Sequence, residues 1–152
     1  MSSLHLTLPL PPSINNQYVT VGRRRVLSKE AKTYKSDVKK HIDRLRTAAK
    51  IPIPVEEELR KSLLGVYITM HFETPFRRDL DGGLKIALDS VCTALGIDDR
   101  MVVDLHLTKQ MDTLNPHMDM EIEAIREWSF DPQYVLLQPE TSDRELDGDE
   151  LE

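Results

Sequence analysis

The chain has 152 residues, of which 39% are hydrophobic and 30% charged, enough for one domain with a real core. No apolar run approaches the roughly 20 residues that span a bilayer, and the single Cys92 excludes an internal disulfide or a multi-cysteine zinc site. Net charge is −6 but unevenly spread: residues 23–46 carry ten Lys/Arg against three acids, and residues 140–152 carry seven acids against one Arg.

The opening MSSLHLTLPLPPS lacks the basic start and long apolar stretch of a signal peptide, so a reducing, cytoplasmic setting is expected. Leu4, Leu6, Leu8 and Leu10 alternate with His5 and Thr7, predicting a half-buried strand that Pro9, Pro11 and Pro12 end. Residues 13–18 read as a loop and residues 19–27 as a short arginine-bearing ribbon. Ser28 is a helix N-cap, and Ala31, Tyr34, Val38, Ile42, Leu45 and Ala49 form one apolar stripe behind it. The helix is expected to end before Pro52 and Pro54, with residues 51–62 as a linker.

Leu64, Val66, Ile68, Met70 and Phe72 alternate with Gly65, Tyr67, Thr69 and His71, a second strand. A turn at Thr74-Pro75 precedes a helix over about 81–95, with Leu84, Leu88, Val91 and Leu95 on its stripe and Gly96 as its stop. Strands at Val103–Leu107 and Met118–Ala124 are expected to pair as a hairpin about the loop 110–116. The order β-α-β-α-β-β predicts an α+β fold, a mixed sheet covered by two helices. Residues 1–128 form the expected domain, and 129–152 an extension ending in an acidic, disordered tail.

Chemistry concentrates around the second helix. Asp79 and Asp81 sit where a strand has ended and a helix begins, and two carboxylates there can face one hard cation such as Mg²⁺. Asp81 could equally cap the helix, and Arg77-Arg78 could pair with Asp79. Lys85, four residues past Asp81, projects over the same helix end and could neutralise charge on a phosphate oxygen; an ordinary Asp–Lys helix pair is its simpler reading. Asp98-Asp99 follow Gly96-Ile97, where a turn also explains them. The helix adds a constraint. Fourteen residues advance about 21 Å, so Asp99 reaches Asp81 only if the chain reverses after Gly96 or if a two-fold partner supplies it, the arrangement favoured here.

The run Arg78-Asp79-Leu80-Asp81-x-x-x-Lys85, followed by Asp89, Gly96, Asp98-Asp99 and Val102-Val103-Asp104, resembles the RusA family of Holliday-junction resolvases. Pro11-Pro12-Ser13-x-Asn15, Tyr18, Ser28 and Tyr34 match in the same order, and the resemblance spans about residues 4–125. It implies a homodimer that cuts four-way DNA junctions symmetrically with Mg²⁺, leaving 5′-phosphate ends, in DNA recombination and repair. Asp79, Asp81 and Asp99 are the implied metal-binding and catalytic acids, and Lys85 the implied catalytic base-charge. Asp98 or Asp104 could add a ligand. The family's usual pattern has Asn directly after the second Asp, where this chain has Gly82 and then Gly83. A nuclease for branched DNA in general, or a silent DNA-binding relative, are the alternatives.

For the DNA, Arg23, Arg24, Arg25, Lys29 and Lys32 form the densest basic set, with Arg77 and Arg78 beside the acids; such groups give affinity without sequence readout. Asn15, Asn16 and Tyr18 are further candidates. The five histidines show no ligand-like spacing and are read as structural or exposed, and Trp128 and Phe130 as packing on the sheet. The acidic tail could compete with DNA for the basic surface.

Overall fold

The computed structural model describes residues 2–13, 16–76 and 78–130. Asn15, Arg77 and the acidic tail lie outside them. The elements run β1 (Ser3–Leu8), β2 (Tyr18–Val21), β3 (Arg24–Leu27), α1 (Lys29–Thr47), α2 (Ile53–Lys61), β4 (Leu63–Phe72), α3 (Leu84–Leu95), a single 3-10 turn (Asp99–Met101), β5 (Val102–Met111) and β6 (His117–Ile125). The class is α+β with a mixed sheet, as expected, though with three helices.

The main sheet has the order β1-β6-β4-β5, antiparallel except for the parallel β4–β5 pair. Its period-two residues divide cleanly. Leu4, Leu6, Leu8, Val66, Ile68, Met70, Met118, Met120 and Ile122 are buried on one face. Ala31, Tyr34, Val38 and Ile42 of α1, and Ile86, Ala87, Val91 and Leu95 of α3, complete that core. The other face carries His5, Thr7, Tyr67, His71, His117 and Asp119. β2 and β3 form a separate two-stranded ribbon, the arginine-bearing one read from the sequence, turning at Gly22 with φ 65°.

Three expectations need correction. Residues 51–62 are not a linker but contain α2. Its prolines fall at the N-cap and first turn, where a missing N–H costs nothing, and Leu59 buries its side chain completely. Strands β5 and β6 are not a hairpin, because β4 lies between them. The connection 112–116 steps over the end of β4, held there by Asp112 N–H donating to Phe72 O (2.8 Å) and Thr113 Oγ1 to Glu73 O (3.2 Å). Five residues reach about 16 Å, ample for the roughly 10 Å between next-but-one strands. Finally, Trp128 and Phe130 do not pack on the sheet. They meet edge-on, centroids 6.5 Å apart, and stay exposed.

The start of α1 and the end of α3 fall where the sequence places them, while α1 stops at Thr47, short of Ala49. Ser28 Oγ accepts from Ala31 N–H (3.1 Å) and donates to Asn16 O, tying α1 to the ribbon's base. Gly96 takes φ 70° at the end of α3. Glu56 of α2, almost fully buried, receives Arg46 Nη2 at 2.7 Å and Arg60 Nη2 at 3.4 Å. The same guanidiniums donate to Ala94 O (2.8 Å) and Leu95 O (2.9 Å), satisfying carbonyls that the end of α3 leaves open.

Candidate active site

The acidic residues sit on a loop that the rest of the fold clamps. β4 ends at Phe72, and residues 73–83 lead to α3. Lys109 of β5 passes beneath them, its Nζ donating to Pro75 O (2.8 Å) and Arg78 O (2.7 Å) while lying 5.5 Å from the centroid of the Phe72 ring. Arg78 turns inward, donating to Pro11 O at 2.6 Å and covering the same ring at 5.2 Å. Gln17, buried, donates from one amide to both Pro12 O (3.1 Å) and Gly82 O (2.8 Å). A methyl group on Gly83 would sit 2.4 Å from Pro11 Cγ, so the absence of a side chain lets the proline segment dock. Tyr34 fixes that segment from the other side, its hydroxyl donating to Pro9 O at 3.0 Å; burial pushes its phenol well above the usual range.

Within this frame Gly82 N–H donates to Asp79 O (3.3 Å) and Leu84 N–H to Asp81 O (3.1 Å), two successive turns. α3 therefore begins at Leu84, later than the apolar spacing alone places it and where two glycines, poor helix formers, lead one to expect it, because Gly82-Gly83 are used in turns. Asp81 is not the cap: the N-cap position is Gly83, with no side-chain bond. Arg78 is spent on Pro11 and Phe72 rather than on Asp79. Among the described residues, no ion pair involves Asp79, Asp81 or Lys85.

Beyond α3 the chain reverses. Ile97 N–H returns to Cys92 O at 2.8 Å, and Asp98 caps the 3-10 turn through Arg100 N–H at 2.9 Å. Asp99 is thereby laid back against the helix. Asp81, Leu84, Lys85, Leu88, Asp89 and Asp99 line one open groove of about 330 Å³. Lys85 and Asp89 stand four residues apart on one face of α3, with Asp81 in the turn just ahead of it. Asp89 and Asp99 meet there: burial, a hydrogen bond to Asp99 and its negative charge push the Asp89 carboxyl up, against Lys35 and Lys85. Two carboxylates held together at the wall of an open groove, next to two lysines, form an all-oxygen donor set that suits a hard divalent cation.

One chain is enough to bring Asp81, Lys85 and Asp99 to this groove, so the helix length does not demand a partner's Asp99. Asp79 is exposed two residues ahead of Asp81 and does not line the groove. Asp98 is occupied by the Arg100 side chain (2.8 Å) and its turn, and Asp104 lies beside His106 (3.1 Å) on β5. Arg23, Arg24, Arg25, Lys29 and Lys32 are all exposed, with Arg25 stacked over Tyr18 at 4.8 Å. Lys32 is one turn before Lys35, so the basic stretch runs toward the groove along α1.

The family model described as Endodeoxyribonuclease RusA matches residues 9–123. A crossover junction endodeoxyribonuclease RusA of Escherichia coli O139:H28 is 31% identical over 127 residues, covering 82% of this chain and 98% of the relative. Proteins of that name from Enterobacteria phage 82 and Escherichia coli K12 are each 31% identical over 124 residues, covering 80% of this chain and 95% of theirs. The chain belongs to the RusA family.

The matched span takes in everything that builds the groove, from the proline segment through Asp99 and Lys109. Several residues that line or support the groove carried no assignment from sequence. Asp89 had a usable signal, its i+4 spacing from Lys85. Lys35, Gln17 and Lys109 had none, since each reaches the site only through tertiary packing.

Proposed function

We propose that this chain is a Mg²⁺-dependent endonuclease that resolves four-way DNA junctions by symmetric phosphodiester hydrolysis, in recombination and repair. The observation that carries the reading is the single groove in which Asp81, Asp89 and Asp99 face Lys85. The relatives' printed name, crossover junction endodeoxyribonuclease, supplies the substrate.

Asp81 and Asp99 would hold the cation in the groove, and Asp79, exposed in the turn ahead, would join them only if that turn moved toward it. Asp89, in contact with Asp99, orients that carboxylate and adds negative charge. When bound, Mg²⁺ polarises a non-bridging phosphate oxygen and makes water a better nucleophile. Lys85 lies where it can hold a phosphate oxygen and offset the charge that builds up during attack. Without a cation the acids would repel the DNA backbone, so metal and substrate occupy the groove together.

Arg23, Arg24, Arg25, Lys29 and Lys32 grip phosphates away from the cut. Backbone contacts of this kind read the shape of a junction and no base sequence. Two related cuts require two related grooves, hence a two-fold homodimer. The β5 edge, unpaired on one side and exposing Leu105 and Met111, offers a surface for it.

A synthetic four-way junction should be cut in Mg²⁺, left intact in EDTA, and preferred over linear duplex; Asp81→Asn should abolish cutting while binding persists. Equal cleavage of junction and duplex would favour a general branched-DNA nuclease. No cleavage of either in Mg²⁺ would refute the catalytic reading.

A further inference from the structure

The sheet face away from the helices carries a second polar cluster, made of different atoms from the groove. His71 on β4 and His117 on β6 are direct cross-strand partners, and Asp119 follows two residues on. The two imidazoles stack at 4.1 Å and 9°. His71 Nε2 lies 3.1 Å and His117 Nε2 3.4 Å from the same oxygen, Asp119 Oδ2. One ligand atom from each residue falls within a 4.8 Å sphere of separations. Four ligands ~2.0 Å from a tetrahedral zinc stand roughly 3.3 Å apart, close to the spacing of the two ring nitrogens from Asp119 Oδ2, and turning the imidazoles out of their stack would bring both lone pairs onto one ion.

The surrounding contacts prepare the atoms for that role. His117 Nδ1 is 2.6 Å from Asn115 O, and a carbonyl can only accept, so the Nδ1 carries the proton. That leaves the Nε2 lone pair of a neutral ring facing a carboxylate oxygen, a repulsive arrangement unless a cation or proton lies between them. Thr7 Oγ1 holds the other Asp119 oxygen at 2.9 Å. A backbone carbonyl behind a histidine and a hydroxyl behind a carboxylate are the outer supports that metal ligands require. All three side chains are half-buried, sheltered yet open to solvent for a fourth ligand, and His5 Nε2 is 3.8 Å from Asp119 Oδ1.

We propose that His71, His117 and Asp119 form a zinc site, distinct from the acidic groove, that braces the sheet where the catalytic loop departs. Two imidazole nitrogens select a borderline first-row ion such as Zn²⁺ over Mg²⁺, which prefers oxygen. The position gives the ion a mechanical role. His71 precedes Phe72, the last residue of β4, while Asn115 belongs to the connection that crosses it and His117 opens β6 directly after. Binding would lock β4 to β6 at the root of residues 73–83. The inference stands whatever substrate the groove takes.

Titration of the full-length protein with Zn²⁺ against a chromophoric chelator, in millimolar Mg²⁺, should give one tight equivalent and a Tm raised by several degrees. In wild-type protein the ring-nitrogen NMR signals of His71 and His117 should shift on Zn²⁺ addition, a readout that needs no variant. His71→Gln with His117→Gln, checked for folding by circular dichroism, should weaken the binding at least about tenfold. Asp81→Asn with Asp99→Asn should leave it unchanged. Absence of a stoichiometric equivalent, unmoved His71 and His117 signals, or loss of binding in the Asp81/Asp99 variant instead would each overturn the site.

Discussion

Lys109→Met tests whether the acidic loop is held from β5. Methionine keeps the unbranched stem against Phe72 and removes only the ammonium, with its bonds to Pro75 O and Arg78 O. A hydrogen bond from a charged group contributes about 1.5–3 kcal/mol. The two act on one short segment and are not additive, so about 3 kcal/mol of loop restraint is at stake. At about 1.4 kcal/mol per tenfold change, full transfer of that loss to the reactive geometry would slow cleavage about a hundredfold. The freed carbonyls lie near the surface, beside the exposed Phe76, and regain water. Global stability should therefore fall by less than the loop restraint does. Single-turnover cleavage of a four-way junction in saturating Mg²⁺ should drop ten- to a hundredfold. Junction affinity measured in Ca²⁺ should stay within about twofold, since the Lys109 ammonium is already taken up by two loop carbonyls. Wild-type cleavage in Lys109→Met would refute the clamp, and equal losses in affinity and rate would show that Lys109 touches DNA.

Gly83→Ala should destabilise the protein by about 1–3 kcal/mol and slow cleavage, because its methyl collides with Pro11; a thermal melt and a rate measurement check both. Glu56→Gln leaves Arg46 and Arg60 without their buried carboxylate and should cost about 2–3 kcal/mol, below the range for a fully buried pair because the guanidiniums are part-exposed; denaturant melts measure it. The Cys92 thiol is pushed up to about 12, by burial first and then by the charges of Asp99, Asp89 and Asp98, so it stays protonated at neutral pH. Native protein should be inert to thiol reagents at pH 8 and label stoichiometrically once unfolded. If the active protein is a dimer, a mixed dimer of Asp81→Asn and Asp99→Asn subunits should not cut either strand, since each groove draws both acids from one chain. Nicking of one strand would mean that Asp99 crosses the dimer.

What sequence made legible followed from local rules. Ser28 and Gly96 mark helix ends by chemistry that acts within one turn, and the period-two runs of β1, β4 and β6 sort their faces without reference to anything distant. Strand order was another matter. A short polar link between two strands resembles a hairpin, and nothing local in residues 110–116 reveals that β4 takes the place between them. The prolines at 52 and 54 had the same ambiguity, since they break a helix from within yet open one comfortably. In the groove, Asp81 and Lys85 were visible as a four-residue step, and Asp89 repeats the step without having been assigned. The return of Asp99 depended on Gly96 and the Asp98 turn acting together. The His71–His117–Asp119 cluster was hidden for a related reason: its first two members are 46 residues apart and meet only through β4–β6 register.

Gly82 stands where the resemblance leads one to expect Asn, and with Gly83 after it the start of α3 is weak on propensity alone. Its surroundings argue the other way. Gly83 gives up its side-chain space to Pro11, and Gly82 offers its carbonyl to Gln17, which also holds Pro12 O. Arg78 adds a bond to Pro11 O from the loop's other end. The proline segment and the acidic loop, some seventy residues apart, are thus two halves of one packed unit. Rigidity that a capped helix would supply locally is supplied here by a tertiary contact. A polar residue at position 82 is not needed to position Asp81 so long as the proline segment is in place, and that dependence puts Pro11 and Pro12 in the architecture of the site although neither can bind a metal with its side chain.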